Sequence, residues 1–213
     1  VLGAMSDRYG RRPVLVLSQF GTVAGYLLLG WTMLVQWDNV STALWLVYLS
    51  RVIDGISGGN ISTAHAYIGD ISTPANRAAR MGLLGAAFGL GFSAGPALGG
   101  LLSLWHAAGP AFAAAAFAAV ACTMTIILLP ESRRRGSSPI ESSWLHPSRF
   151  MPVLRNPLLG HLLFGGCLAM MAFVMLEVVF ALYLKDVFHY GQTAINLLFA
   201  MVGVVIMVVQ AGL

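Results

Sequence analysis

Ionisable side chains are rare in this chain, so each one marks a place where charge must be useful. Three formal charges fall inside its long apolar stretches: Arg51, Asp54 and Glu177. A charge inside a bilayer faces a cavity or a partner. Arg51 and Asp54 are three residues apart, so on a helix they share a face and can neutralise each other. That leaves two readings open, an ion pair that only maintains its helix, or a pair that carries protons or binds substrate. At about 1.5 Å per residue, Glu177 lies roughly 30 Å along a helix from Pro157 and roughly 10 Å from Leu184. It either titrates in a cavity or binds a cationic substrate, or it reaches outward to pair with Lys185. No arginine stands one turn from it, as one does from Asp54, so Glu177 is the expected titrating group of the two. A denser cluster, Asp7 with Arg8, Arg11 and Arg12 around Gly10, reads as an ionised acid paired among bases at a membrane surface. Gly10 permits a tight reversal there.

Other chemistries lack their residues. His65, His106, His146, His161 and His189 are scattered, so no metal site is expected. No phosphate-binding glycine loop and no nucleophile elbow occur. Neither an enzyme nor a cofactor is expected.

The elements that must position these groups are apolar helices. The apolar share is 58% and the charged share 9%, against about 25% charged in an ordinary soluble domain. Six spans are read, roughly 13–36, 42–69, 81–104, 110–129, 157–184 and 192–213. The net charge of +4 does not point to nucleic acid, because the arginines are segregated. Arg8, Arg11 and Arg12 precede the first span. Arg77 and Arg80 follow the second, and Arg133, Arg134, Arg135, Arg149 and Arg155 follow the fourth. By the positive-inside rule these loops, 1–12, 70–80 and 130–156, are cytoplasmic. Trp31, Trp37, Trp45 and Trp105 fall near the opposite ends, as an aromatic belt does. Cys122 and Cys167 lie inside spans, so no disulfide scaffold is expected. The chain reads as a fragment that starts at a helix end and stops inside an apolar run.

Three stretches carry a resemblance. Gly3, Asp7, Arg8, Gly10, Arg11 and Arg12 follow the spacing G-x-x-x-D-R-x-G-R-R. Arg51 is followed four residues later by Gly55. Gly82, Gly91, Gly95, Pro96, Gly99 and Gly100 stud a charge-free run from Met81 to Gly109. Glycine and proline break helices in water but are tolerated in a bilayer, where small residues let helices approach closely. These stretches resemble motifs A, B and C of the major facilitator superfamily, the last being the fifth-helix signature of its drug/proton antiporters. The Gly69–Arg77 loop and the Pro130-Glu131-Ser132 ending resemble the tetracycline-resistance branch. One departure stands out. Tetracycline exporters carry an acid just before a Tyr-Leu-Leu-Leu run in the third helix, and here Gly25 precedes Tyr26-Leu27-Leu28-Leu29. That puts tetracycline as substrate in doubt.

The resemblance implies an all-α polytopic membrane protein covering helices three to eight of twelve. Residues 1–12 would end helix two and form the motif A loop. Residues 13–129 would hold helices three to six, 130–156 a linker between bundles, and 157–213 helices seven and eight. Asp7 and its arginines would hold one gating state, with Arg11 paired to Asp70. Arg51 would take part in proton transfer. The glycines of motif C would form a close helix interface, with Pro96 bending or stiffening the helix. Gln19, Asn60, Thr63 and His65 would line a pathway or bond between helices. Met170, Met171 and Met175 with Phe173 would make an adaptable drug-binding wall or simply pack. The expected function is proton-coupled efflux of small apolar or amphiphilic compounds by a monomer in the cell membrane, the bacterial inner membrane foremost. A proton-coupled uptake symporter is the alternative, and a membrane-embedded enzyme or receptor a remote one. The expected partners are substrate, protons and lipid.

Overall fold

The computed structural model describes residues 2–132 and 156–212. Every regular element among them is a helix: α1 Leu2–Tyr9, α2 Arg11–Leu34, α3 Val40–Ser57, α4 Asn60–Ile71, α5 Arg77–Ser103, α6 Gly109–Leu128, α7 Pro157–Asp186 and α8 Gln192–Gly212. Among the described residues, α2, α5, α6 and α7 are each long and apolar enough to cross a membrane. Most of the expected inter-bundle linker, residues 133–155, lies outside the described residues.

Two expectations change. Residues 1–12, expected as the end of a helix and a loop, are almost wholly helical over 2–12: α1 and α2 are separated by Gly10 alone, at φ 104°. The span expected over 42–69 is two helices, α3 and α4, parted at Gly58 and Gly59. Two adjacent glycines add no side-chain packing and weaken a helix by about 1 kcal/mol each, and the backbone there relaxes to φ/ψ of −64°/−7° and −68°/8°. The chain keeps its direction through the break. Gly25 meets Ser50 and Asp54, Ser18 bonds to Ser57, and Arg11 reaches Asp70. That order lays α3 and α4 antiparallel to α2 along its length.

The chain forms two compact units, residues 1–140 with 199–213, and residues 141–198. In the first, α2 is the hub and packs against α1, α3, α4 and α6. Its contacts depend on small residues. Gly21 lies where a Cβ would overlap Ser57 Oγ, and a Cβ on Gly30 would stand 3.0 Å from the Phe112 ring. On α6 the buried residues are Ala111, Ala115 and Cys122, which repeat on one helical face. Between helices that both face lipid, such small-residue seams bring the backbones close enough for dispersion to hold them. In the second unit, Asn156 caps α7, accepting from Leu158 N at 3.1 Å and Leu159 N at 3.3 Å. The turn after α7 is closed by Tyr190 N donating to Leu184 O at 3.1 Å and by Phe188, which meets Tyr183 edge to face and Tyr190 at a tilt.

Candidate functional site

The residues expected to act as a gate meet at one end of the first unit. Gly10 reverses the chain, which presents the N-terminus of α2 to the end of α6. The Glu131 carboxylate caps that terminus: Arg11 N donates to Oε1 at 2.9 Å and Arg12 N to Oε2 at 3.2 Å. A carboxylate at a helix N-terminus satisfies free N–H groups and the helix dipole together. The Arg11 side chain then folds into a cage. Its Nε donates to Asp70 Oδ2 at 3.0 Å, and its Nη1 stands 2.5 Å from Asp7 Oδ1 and 2.6 Å from the buried Ser6 Oγ. The expected Arg11–Asp70 pairing is therefore present, and Arg11 bridges two carboxylates. Ser132 Oγ donates to Asp70 Oδ2 at 3.3 Å, Tyr67 OH to Pro130 O at 3.1 Å, and Arg12 to Ile126 O. The end of α6 is thus tied to α2 and α4. Asp7 stays 42% exposed on its side chain, so its carboxylate has room for a further partner. The Arg8 side chain lies outside the described residues.

The next turn is braced by arginines that sequence reading took for topology signals only. Arg77 Nη2 donates to Gly69 O at 3.2 Å and Arg80 Nη1 to Ile71 O at 2.7 Å. They add donors to carbonyls in the last turn of α4, of which Gly69 O also accepts from Ser72 N at 3.4 Å.

Arg51 and Asp54 share a face of α3, as their spacing implied. Their contact is long, 3.6 Å from Nη1 to Oδ2, and the Arg51 guanidinium lies 5.1 Å over the Tyr26 ring. Tyr26 is the residue that sequence reading missed here. Its only sequence signal was its place in the run after Gly25.

The glycines of α5 turn out to be divided in use. The helix runs unbroken through Pro96. A Cβ at Gly91 or Gly95 would meet nothing within 4 Å, and one at Gly99 only Pro110 at 4.0 Å. Among the described residues these glycines do not form the expected close interface. They line an apolar groove of about 420 Å³ between α5 and α6, with Leu98, Pro110 and Phe117. Close approach occurs elsewhere on α5. A Cβ on Gly203 of α8 would overlap the Ser93 backbone, Ser93 Oγ donates to Ala200 O at 2.9 Å, and Phe92 meets Phe199 edge to face. Gly82 and Gly100 are half-buried in α5.

The remaining candidates scatter. Glu177 is exposed on α7, and among the described residues neither Lys185 nor any other group pairs with it. Met170, Met171 and Met175 are exposed on the same helix. Gln19 Oε1 and Thr63 Oγ1 are buried with no hydrogen-bond partner among the described residues, and His65 Nδ1 contacts Met81 Sδ at 3.4 Å. Asn60 opens α4.

A helical membrane protein with a charge-locked turn at one end and glycine-lined helices inside the bilayer is the build of a secondary transporter. The model of the Major Facilitator Superfamily matches residues 1–213, and the chain belongs to that family. It is 31% identical over 212 residues to the tetracycline resistance protein, class C, of Escherichia coli, covering 99% of this chain and 51% of that protein. It is 44% identical over 114 residues to the class B protein of the same organism, 54% of this chain and 26% of the relative. Its fold matches the crystal structure of the human organic anion transporter MFSD10 (TETRAN) with a TM-score of 0.67 at 26% identity, covering 99% of this chain and 51% of that one. The chain spans about half the length of the curated relatives it matches.

Proposed function

We propose that this chain is part of a secondary active transporter that exports small apolar or amphiphilic compounds in exchange for protons. The observation that carries this reading is the cage of Asp7, Arg11 and Asp70 sealed by Glu131. It gathers the charges at one end of the first unit into a single ionic cluster and leaves Asp7 part-exposed, so a contact with the second bundle can be made and broken there as the two bundles rock in alternating access. In this reading the lock lies at the cytoplasmic face of a cell membrane, the bacterial inner membrane being the reading that the tetracycline-resistance relatives support. The described helices are three to eight of twelve, residues 130–156 link the bundles, and the working unit is a monomer. Arg51, Asp54 and Glu177 are the groups available for protons or substrate. Gly82, Gly91, Gly95, Pro96, Gly99 and Gly100 give α5 the bare surface on which other helices can slide.

Organic anions form a second substrate reading, supported by the Arg51 guanidinium, whose polar contacts among the described residues are long, 3.5 Å to Ser50 Oγ and 3.6 Å to Asp54 Oδ2, and by the similarity to MFSD10. The test is flux in proteoliposomes that hold the full-length protein, with ethidium as the amphiphilic cation and carboxyfluorescein as the organic anion. Ethidium moving against an imposed pH gradient is the expected result. Carboxyfluorescein moving alone selects the second reading, and movement of either dye with the proton flow selects symport. Orientation is tested with cysteine at position 137 or 107 in intact cells. An impermeant thiol reagent is expected to label Ala107→Cys and to spare Ser137→Cys, and the reverse pattern overturns the topology.

A further inference from the structure

The seam between α2 and α3 holds a carboxylate in an unusual setting. Gly25 is buried, and a Cβ there would stand 3.1 Å from Ser50 O and 3.4 Å from both Cβ and N of Asp54. Asp54 therefore starts in a space that α2 leaves vacant by having no side chain at position 25. Its cation is held loosely. The 3.6 Å separation from Arg51 Nη1 is beyond hydrogen-bond length, and Ser50 Oγ is 3.5 Å from Arg51 Nε. The better-placed neighbour of the guanidinium is the Tyr26 ring, 5.1 Å away, at a distance where cation–π attraction is effective. Arg51 thus has two holders, and one of them does not depend on the charge of Asp54. One residue beyond Asp54, Gly55 has nothing within 4 Å of its would-be Cβ, so open space lies beside the pair. Helix α3 packs against α2, whose ionisable side chains are Tyr26 and, at its far end, Arg11 and Arg12. The Arg11 side chain is engaged with Asp7 and Asp70, and that of Arg12 with Ile126 O.

We infer that Asp54, rather than the Glu177 expected from its lack of a neighbouring arginine, is the group that takes up and releases the transported proton, that Tyr26 keeps Arg51 in place while Asp54 is neutral, and that position 25 is an equivalent seat for the same carboxylate. The inference rests on the proton-coupled reading above. In each cycle one O–H bond forms on the Asp54 carboxylate with a proton from water on one side, and breaks to water on the other. Arg51 stays charged throughout; its side chain is part-exposed, and the Tyr26 ring holds it in place while its anion is neutral.

The experiment uses the full-length protein in proteoliposomes with ethidium as probe, measuring exchange without a gradient and flux driven by an imposed pH gradient. Asp54→Asn is expected to keep exchange and to lose the response to the gradient. The double variant Gly25→Asp, Asp54→Ser is expected to regain it, while Tyr26→Phe retains it and Tyr26→Leu weakens it. Infrared difference spectra between acid and neutral pH read the same group without substrate. The carbonyl stretch of the protonated acid is expected to vanish in Asp54→Asn and to return in the double variant. A wild type whose flux ignores the pH gradient sinks the proton-coupled reading. A wild type that responds, with Asp54→Asn responding equally, sinks only the assignment to Asp54. An infrared band that persists in Asp54→Asn does so too, whether or not ethidium is transported.

Discussion

Arg11 and Arg51 are two arginines on adjacent helices of one unit, and they are held in opposite ways. Arg11 has a carboxylate at 2.5 Å, a second at 3.0 Å and a hydroxyl at 2.6 Å, and its own backbone N–H is tied to Glu131. Arg51 has a carboxylate at 3.6 Å and an aromatic face. The first arrangement fixes a geometry, because moving any one partner strands charge among the others. The second leaves the balance of charge adjustable, since a proton on the carboxylate removes one of two modest attractions. The first arrangement suits the proposed lock and the second the proposed proton site, and the difference lies in how many partners each guanidinium has within hydrogen-bond reach.

The comparison breaks most easily at Gly10. A residue with a side chain there must adopt a backbone conformation that only glycine reaches comfortably, at about 1–3 kcal/mol, and its Cβ would stand 2.6 Å from Glu131 Oε2. Gly10→Val is expected to destabilise the protein by about 3 kcal/mol, which combines that strain with the loss of a helix cap. The check is thermal unfolding of the purified protein in detergent. The glycine beside Arg51 is the control: Gly55→Ala, with open space around it, is expected to leave stability unchanged or slightly raised.

A smaller loss is expected at the cage itself. Arg11→Asp and Asp70→Arg should each impair turnover more than substrate binding, and the two together should recover part of the loss. The expected coupling is about 1–2 kcal/mol, below the upper range for contacting residues because Asp70 is partly exposed. Additive losses in a double-mutant cycle would remove the lock from the comparison. Glu131→Gln keeps the shape of the cap and removes its charge. Charge-assisted bonds to a helix N-terminus exceed neutral ones by about 1 kcal/mol, so a drop of that size in unfolding free energy is expected.

The smallest effect is expected at Gly95→Ala. A methyl group there meets open groove and improves helix propensity by up to about 1 kcal/mol, so stability should hold or rise slightly. Gly95→Leu is expected to abolish transport while protein remains in the membrane, since a long side chain fills the groove between α5 and α6. Normal efflux by Gly95→Leu would show that the bare surface of α5 carries no function.

Part of the site was legible in the sequence. The Arg11–Asp70 pair was expected from the resemblance of Gly3–Arg12 to motif A, and the shared face of Arg51 and Asp54 from their three-residue spacing. Glu131 was visible only as part of a terminal motif, because its partners are backbone N–H groups, which leave no trace in a residue pattern. The contact surface of α5 was misread for a related reason. Glycine spacing shows that a helix can be approached closely, but the side of approach depends on the neighbour, and Gly203 and Ser93 supply it here rather than Gly91 and Gly95.

The sequence by itself determined that this chain lives in a membrane as apolar helices, because the cost of burying charge in lipid is set locally, residue by residue. It also determined which residues are rare enough to matter. Only the tertiary structure decided that Gly10 is a one-residue turn, that the second span breaks at Gly58 and Gly59, and that Arg11 is caged while Arg51 rests on Tyr26. Those outcomes depend on distances between residues far apart in the chain, and such distances are set by how helices pack.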